Sequence, residues 1–167
     1  MNLNDKVALV TGATRGIGAA IASALAQAGA TVIGTATSEA GAAAITQRFA
    51  EINITGTGMV LDVTSSDSVN AVIKAIAEQF AAPTILVNNA GITKDNILMR
   101  MKDEEWMDVI DTNLTSVFRL AKACVRPMTK ARWGRIINIS SVVGAMGNAG
   151  QANYSASKAG VGGFTRA

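Results

Sequence analysis

Tyr154 and Lys158 stand four residues apart in Tyr154-Ser155-Ala156-Ser157-Lys158, and Ser141 lies a short way upstream. On a helix, positions i and i+4 share a face, so this spacing presents a phenol and an ammonium to one spot. A free phenol, with a pKa of about 10, is a poor proton donor or acceptor at neutral pH. A neighbouring cation favours the phenolate, and lowering the pKa by one corresponds to about 1.4 kcal/mol. The pair therefore reads as a tuned acid/base, with Ser141 as a hydroxyl donor beside it. The plainer alternative is a surface helix on which a Tyr and a Lys fall together by chance. The choice between them depends on what else the chain brings to the same place.

A second stretch suited to chemistry is Thr11-Gly12-Ala13-Thr14-Arg15-Gly16-Ile17-Gly18. It follows a continuous apolar run, Val7 to Val10, which reads as a buried parallel strand. It precedes an Ala-rich helical pattern over 18–28 that Gly29 closes. Glycines let backbone approach a pyrophosphate, and a helix N-terminus supplies free N–H groups and a positive dipole end. The spacing is Gly-x-x-x-Gly-x-Gly, which departs from the Gly-x-Gly-x-x-Gly dinucleotide fingerprint. A turn with no ligand is the alternative. Residues 31–36 form the second strand, and the position after it selects the cofactor. A carboxylate there would bind a ribose 2′-hydroxyl and repel a 2′-phosphate. The chain has Thr37 and Ser38, with Glu39 the next acid and Arg15 a cation in the loop, so the site reads as accepting NADP. Thr37-Ser38 also suits the N-cap of a helix over 39–51.

The remaining candidates stand where other strands end. Strand 57–61 runs into Asp62-Val63, and Asp62 either contacts an adenine amino group or caps the next helix, which Asp67 or Ser68 opens. Strand 84–88 ends in Asn88-Asn89-Ala90-Gly91, a small-residue turn where ligands bind in open α/β sheets, or a turn built from Asn and Gly for backbone reasons. Strand 135–139 ends at Ser140-Ser141. Asn113 falls inside a helical stretch, as a kink, a water-holding group or a solvated side chain. Lys122, Arg126, Lys130 and Arg132 follow at near-helical spacing, as a solvated face or a surface for an acidic partner.

Five strands alternating with helices predict an α/β fold, a doubly wound parallel sheet of the Rossmann type, in the order 3-2-1-4-5. Its switch point lies between strands 1 and 4. The glycine loop, Asn89-Ala90-Gly91 and Ser141 then share the carboxyl edge of one sheet, and this convergence favours the acid/base reading of Tyr154 and Lys158.

Composition narrows the function classes. The chain has 167 residues, 49% of them apolar and 16% charged, which suits one globular domain over 1–167. A net charge of +3, with no Lys/Arg run and little aromatic interleaving, does not point to nucleic acid. No His is present, which removes His-based triads and most zinc sites, so no metal site is expected. The single Cys124 suits a reducing cytosol, and a cytoplasmic setting is expected. The polar first residues do not read as a signal peptide, and no apolar run is long enough to span a bilayer.

With these residues in view, the chain resembles the short-chain dehydrogenase/reductase family. The match is carried by Thr11-Gly12-x-x-x-Gly16-x-Gly18, Asn88-Asn89-Ala90-Gly91, Asn113, Ser141 and Tyr154-x-x-x-Lys158, in that order. Within the family, the segments 91–106 and 147–154 are similar to the bacterial members that reduce 3-oxoacyl thioesters of acyl carrier protein. The resemblance implies reduction with NADP(H) to the (R)-3-hydroxyacyl thioester. It implies catalytic roles for Asn113, Ser141, Tyr154 and Lys158, with Ser141 and Tyr154 meeting the substrate and Asn113 holding a water that relays protons to Lys158. Cofactor contacts are implied for Gly12, Ala13, Thr14, Arg15, Gly16, Ile17, Gly18, Thr37, Asp62, Val63, Asn89, Ala90 and Gly91, and again for Tyr154 and Lys158. It also implies a homotetramer, and contact of Arg132, with Lys130, with the carrier protein. Family members are roughly half as long again, so the expectation is a Rossmann domain incomplete at its C-terminus, with the last strands absent and an exposed sheet edge. The alternatives are a non-catalytic NADP-binding or subunit-docking module, and a reductase of acetoacetyl-CoA or another ketone.

Overall fold

The computed structural model describes residues 2–167. Its centre is a parallel sheet of β1 (Val7–Val10), β2 (Thr31–Ala36), β3 (Gly56–Val60), β4 (Ile85–Asn88) and β5 (Arg135–Asn138), in the order β3-β2-β1-β4-β5. The expected strand order is therefore observed. Parallel neighbours need crossovers, and helices supply them: α1 (Gly16–Gln27), α2 (Glu39–Glu51), α3 (Ser66–Gln79), α4 (Asp103–Ile110) and α5 (Ser116–Ala131). A four-residue helix, α6 (Val143–Met146), and α7 (Ala152–Arg166) follow the last strand.

Alternation along the strands divides the core in two. Ala8 and Val10 of β1 face one layer, with Ala22 of α1 and Ile45 and Phe49 of α2. Val7 and Leu9 face the other, with Val72 and Ile76 of α3 and Leu120 and Cys124 of α5. Successive side chains of a strand point to opposite faces, so one apolar run feeds both layers. Phe49, Leu9, Ile33 and Ile76 are fully buried, each worth about 1.5–3 kcal/mol relative to exposure. Burial also pushes the Cys124 thiol up to about 12, which makes it a packing residue at neutral pH.

β1 pairs with β2 on one side and β4 on the other. The connections leave these two neighbours in opposite directions, which opens a crevice at the carboxyl edge. At the far side β5 is an edge strand with Ile137 exposed, and a groove of about 390 Å³ runs beside it, lined by Phe118, Val125, Ile136 and Phe164. Among the described residues no helix is long and apolar enough to cross a membrane.

Candidate active site

The glycine loop leaves β1 and enters α1 at the crevice. Gly12 (φ +65°) and Gly16 (φ +57°) take left-handed backbone, which a Cβ would strain. Gly18 is required by proximity instead: a Cβ there would lie 2.2 Å from the Gly12 carbonyl oxygen and 2.6 Å from Asn89 Nδ2. Four successive carbonyls of the loop are held by two side chains. Asn89 Nδ2 donates to Thr11 O (2.9 Å) and Gly12 O (3.1 Å). Arg48 donates from Nη2 to Ala13 O (2.7 Å) and from Nη1 to Thr14 O (2.8 Å). Thr11 Oγ1 accepts from the amides of Asn89 and Ala90, both at 3.0 Å, which ties the loop to the end of β4. The N–H groups of Thr14 and Arg15 have no acceptor among the described residues. Free amides at a helix N-terminus, with glycine where a side chain would intrude, fit a dinucleotide phosphate.

Beside the loop lies a cavity of about 330 Å³, lined among others by Gly12, Thr14, Thr37, Ser38, Asp62, Val63, Ala90 and Gly91. Thr37 and Ser38 are exposed there, and Ser38 also N-caps α2 by accepting from Gly41 N (3.2 Å). Asp62 does not cap α3; Ser65 does, accepting from Ser68 N. Instead Asp62 Oδ1 accepts from Thr64 Oγ1 (2.6 Å) and Thr64 N (2.9 Å). Those bonds hold the Asp62 carboxyl below its ordinary range and lock it at the rim of the cavity.

Gly91 and Ile92 also line a second cleft, of about 410 Å³, with Ile17, Asn89, Ser141, Tyr154 and Lys158. The two cavities form one trough along the carboxyl edge. Ser141 stands just past β5, and its Oγ accepts from Val143 N (3.2 Å), which fixes the hydroxyl at the first turn of α6. Tyr154 and Lys158 are on α7 as the spacing predicted. Lys158 is only 6% exposed, its Nζ donates to Ile139 O (2.7 Å), and it lies 5.7 Å from the centre of the Tyr154 ring. Burial disfavours its charge and lowers its pKa.

Asn113 is 1% exposed and lies in a π-helical turn, Asp111–Thr115, between α4 and α5. Such wide turns occur frequently at functional sites. Its Oδ1 accepts from Ile92 N (2.8 Å), and its Nδ2 donates to Ile92 O (2.9 Å) and Ser157 Oγ (3.2 Å). Both amide hydrogens are therefore engaged, and the side chain is a brace rather than a solvated group. Gly91 stands between: a Cβ on it would meet Asn113 Oδ1 at 3.1 Å and Lys158 Nζ at 3.8 Å.

The structure thus brings Gly12, Thr14, Ile17, Thr37, Asp62, Val63, Asn89–Gly91, Ser141, Tyr154 and Lys158 to one trough. Of the other loop residues, Ala13 is fully buried in the core and Gly18 is buried beneath the loop, while Arg15 and Gly16 are exposed beside it. Arg132 is elsewhere. It ends α5 in left-handed backbone (φ 50°), exposed, just before the amino end of β5, whereas Ser141 follows the carboxyl end. Three further residues have a clear structural part that sequence reasoning missed. Arg48 reads in the sequence as one charge on a solvated helix. Asn153 is buried and donates to Lys94 O (2.9 Å) and Glu105 O (3.1 Å), which fastens the start of α7 to the segment after β4. Ser157 links Asn113 to α7, and its place inside Tyr-Ser-Ala-Ser-Lys, on the face opposite solvent, was the available signal.

Comparison with known proteins agrees with this geometry. The short chain dehydrogenase family matches residues 6–167. The chain is 62% identical over 167 residues to the 3-oxoacyl-[acyl-carrier-protein] reductase FabG of Pseudomonas aeruginosa, covering all of this chain and 68% of that protein. It is 64% identical over 166 residues to the protein of the same name from Vibrio cholerae, covering 99% and 67%. Among solved structures, a putative gluconate dehydrogenase from Agrobacterium tumefaciens superposes with a TM-score of 0.95 at 34% identity, covering 99% of this chain and 65% of the other. The chain spans about two thirds of the length of each.

Proposed function

The chain belongs to the short chain dehydrogenase family, and we propose that it carries the cofactor loop and catalytic groups for NADPH-dependent reduction of a 3-oxoacyl-acyl-carrier-protein thioester. The observation that carries this reading is the continuity of the trough through Gly91 and Ile92, from the free loop amides to Ser141, Tyr154 and Lys158. Two relatives more than 60% identical bear the name of that reductase.

When bound, NADPH supplies hydride to the keto carbon. The loop amides of Thr14 and Arg15 would receive its anionic groups, and Arg15 with Thr37 would meet a 2′-phosphate where a carboxylate would repel it. Ser141 Oγ, set by Val143 N, donates to the substrate oxygen as charge develops there. Tyr154 gives that oxygen its proton, a step that contributes about 10²–10⁴-fold in related acid catalysis. Lys158, held by Ile139 O, keeps a cation beside the phenol and would hold the nicotinamide ribose. Asn113 holds Ile92 and Ser157 in place, and a proton-relaying water there has the second lone pair of Oδ1 to meet. Asp62 and Val63, which line the loop-side cavity, would meet the adenine end.

Contact with the acidic carrier protein is assigned to Arg132, with tetramer formation and a cytoplasmic setting as parts of the same reading. Because Arg132 lies past the opposite end of β5 from Ser141, that contact does not by itself aim a tethered acyl chain at Ser141 of the same chain. The test is NADPH oxidation with acetoacetyl-carrier protein and acetoacetyl-CoA in parallel. Turnover with a higher kcat/KM for the carrier thioester is expected. Higher kcat/KM for the CoA ester would move the assignment to another ketone reductase, and tight NADPH binding with no turnover of either would leave a nucleotide-binding module.

A further inference from the structure

Arg48 lies in the last turn of α2, 34 and 35 residues from the two carbonyls it holds. Its donors sit at 2.8 Å from Thr14 O and 2.7 Å from Ala13 O, the short range of charge-assisted bonds, one from each terminal nitrogen. Its Nε is buried without an acceptor among the described residues, a cost that the two carbonyl bonds must offset. The helix is built to come close. A Cβ on Gly41 would meet Ala36 Cβ at 2.7 Å and Thr14 Cγ2 at 3.3 Å. Gly41 and Arg48 are seven positions apart and share a helix face.

The peptide bonds of the loop are trans, so each N–H points opposite to the C=O of its own peptide group. The group containing Ala13 O carries Thr14 N–H, and the group containing Thr14 O carries Arg15 N–H. Gripping the two oxygens from behind therefore aims both hydrogens forward, and both lack an acceptor among the described residues. Thr14 lines the cavity that also holds Thr37 and Ser38. We propose that Arg48 is a positioning residue: a two-pronged clamp that presets the Thr14 and Arg15 amides for an anionic group of the nucleotide, chiefly at the 2′-phosphate end. Asn89 holds the preceding pair of carbonyls, where the Ala13 amide is already spent on Thr35 O, so the free amides of the loop are those behind which Arg48 sits. The proposal rests on the nucleotide reading of the loop.

The test uses the 167-residue chain, native and as Arg48→Met and Arg48→Lys, in two measurements. The first is NMR backbone order parameters of residues 13–15 without nucleotide. The second is the Kd for NADPH and for NADH by fluorescence titration. In R48M the loop order parameters fall while those of α2 hold. NADPH binding weakens by about tenfold, equivalent to about 1.4 kcal/mol, and NADH binding by about threefold or less. R48K keeps the charge without the fork, so it loosens the loop and binds NADPH with intermediate affinity. Native loop order in R48M overturns the clamp, as does a loosened loop with native NADPH affinity. Equal weakening for both nucleotides overturns the 2′-phosphate assignment. If the native chain binds neither nucleotide, the nucleotide reading falls instead, and the order parameters alone decide whether Arg48 sets the loop.

Discussion

At the nucleotide end of the trough the working surface is backbone: peptide groups of residues 11–15, turned and fixed by Asn89 and Arg48. At the other end it is side chain. Ser141 projects from the start of a short loop helix, Tyr154 and Lys158 from α7, and Val142 and Met146 nearby are exposed. The two ends therefore tolerate change differently. A surface made of peptide groups is indifferent to most side chains and intolerant of a Cβ where atoms crowd. A surface made of side chains loses its chemistry with one atom while its fold stands.

The largest expected effect isolates the second end. Tyr154→Phe removes one oxygen from a partly exposed residue, and kcat should fall by about 10²–10⁴-fold. NADPH affinity and thermal midpoint should stay near native. Native turnover in a stopped assay of Y154F would remove Tyr154 from the mechanism and dissolve the contrast.

Gly18→Ala attacks the first end. The new Cβ would press on Gly12 O at 2.2 Å, which is backbone and has no rotamer to yield. Overpacking of this kind costs about 1–3 kcal/mol, against about 1 kcal/mol gained from the better helix former. Net stability should drop by about 0–2 kcal/mol, read by urea unfolding. NADPH Kd should rise by at least about tenfold, because the displaced carbonyl belongs to the loop itself. Unchanged affinity in a folded G18A chain would show that the loop geometry is not what binds.

The smallest effect is one of pH. Burial lowers the Lys158 pKa below its ordinary 10.5. Between the folded and unfolded values the unfolded chain holds more protons, so native stability rises with pH across that window. Lys158→Met has no such group. The melting temperature of the native chain, minus that of Lys158→Met, should climb as pH rises toward about 10.5. A difference that stays flat, or that falls, contradicts a buried ammonium at this position.

Much of this was legible from residues alone, for physical reasons. β1 and β2 were bounded correctly because a strand buried on both faces reads as an unbroken apolar run. The strand order followed from the alternation of strands and helices. β3 begins one residue earlier than expected, at Gly56, where a φ of +156° lets the strand start against Val32. α6 lay hidden in a glycine-bearing loop, since four residues carry no period. Asn113 stood out as a polar residue inside a helical stretch, but its partners, like those of Arg48, were illegible because each contact spans more than twenty residues. What a sequence displays is local rule and period; what fixes this trough is long-range hydrogen bonding to backbone.

The π turn at Asp111–Thr115 has a consequence for how this chain can vary in length. A wide turn holds one more residue than the α-helix around it. Deleting one of those five residues would let α4 and α5 fuse into a regular helix with the flanks nearly in their present phase, because the wide turn already absorbs the extra residue. What such a deletion removes is the local widening that aims Asn113 at Ile92. A residue lost from the regular helix on either side would instead rotate everything after it by about 100° and slide it by about 1.5 Å. A change of length is therefore felt locally inside this turn and by every downstream contact outside it.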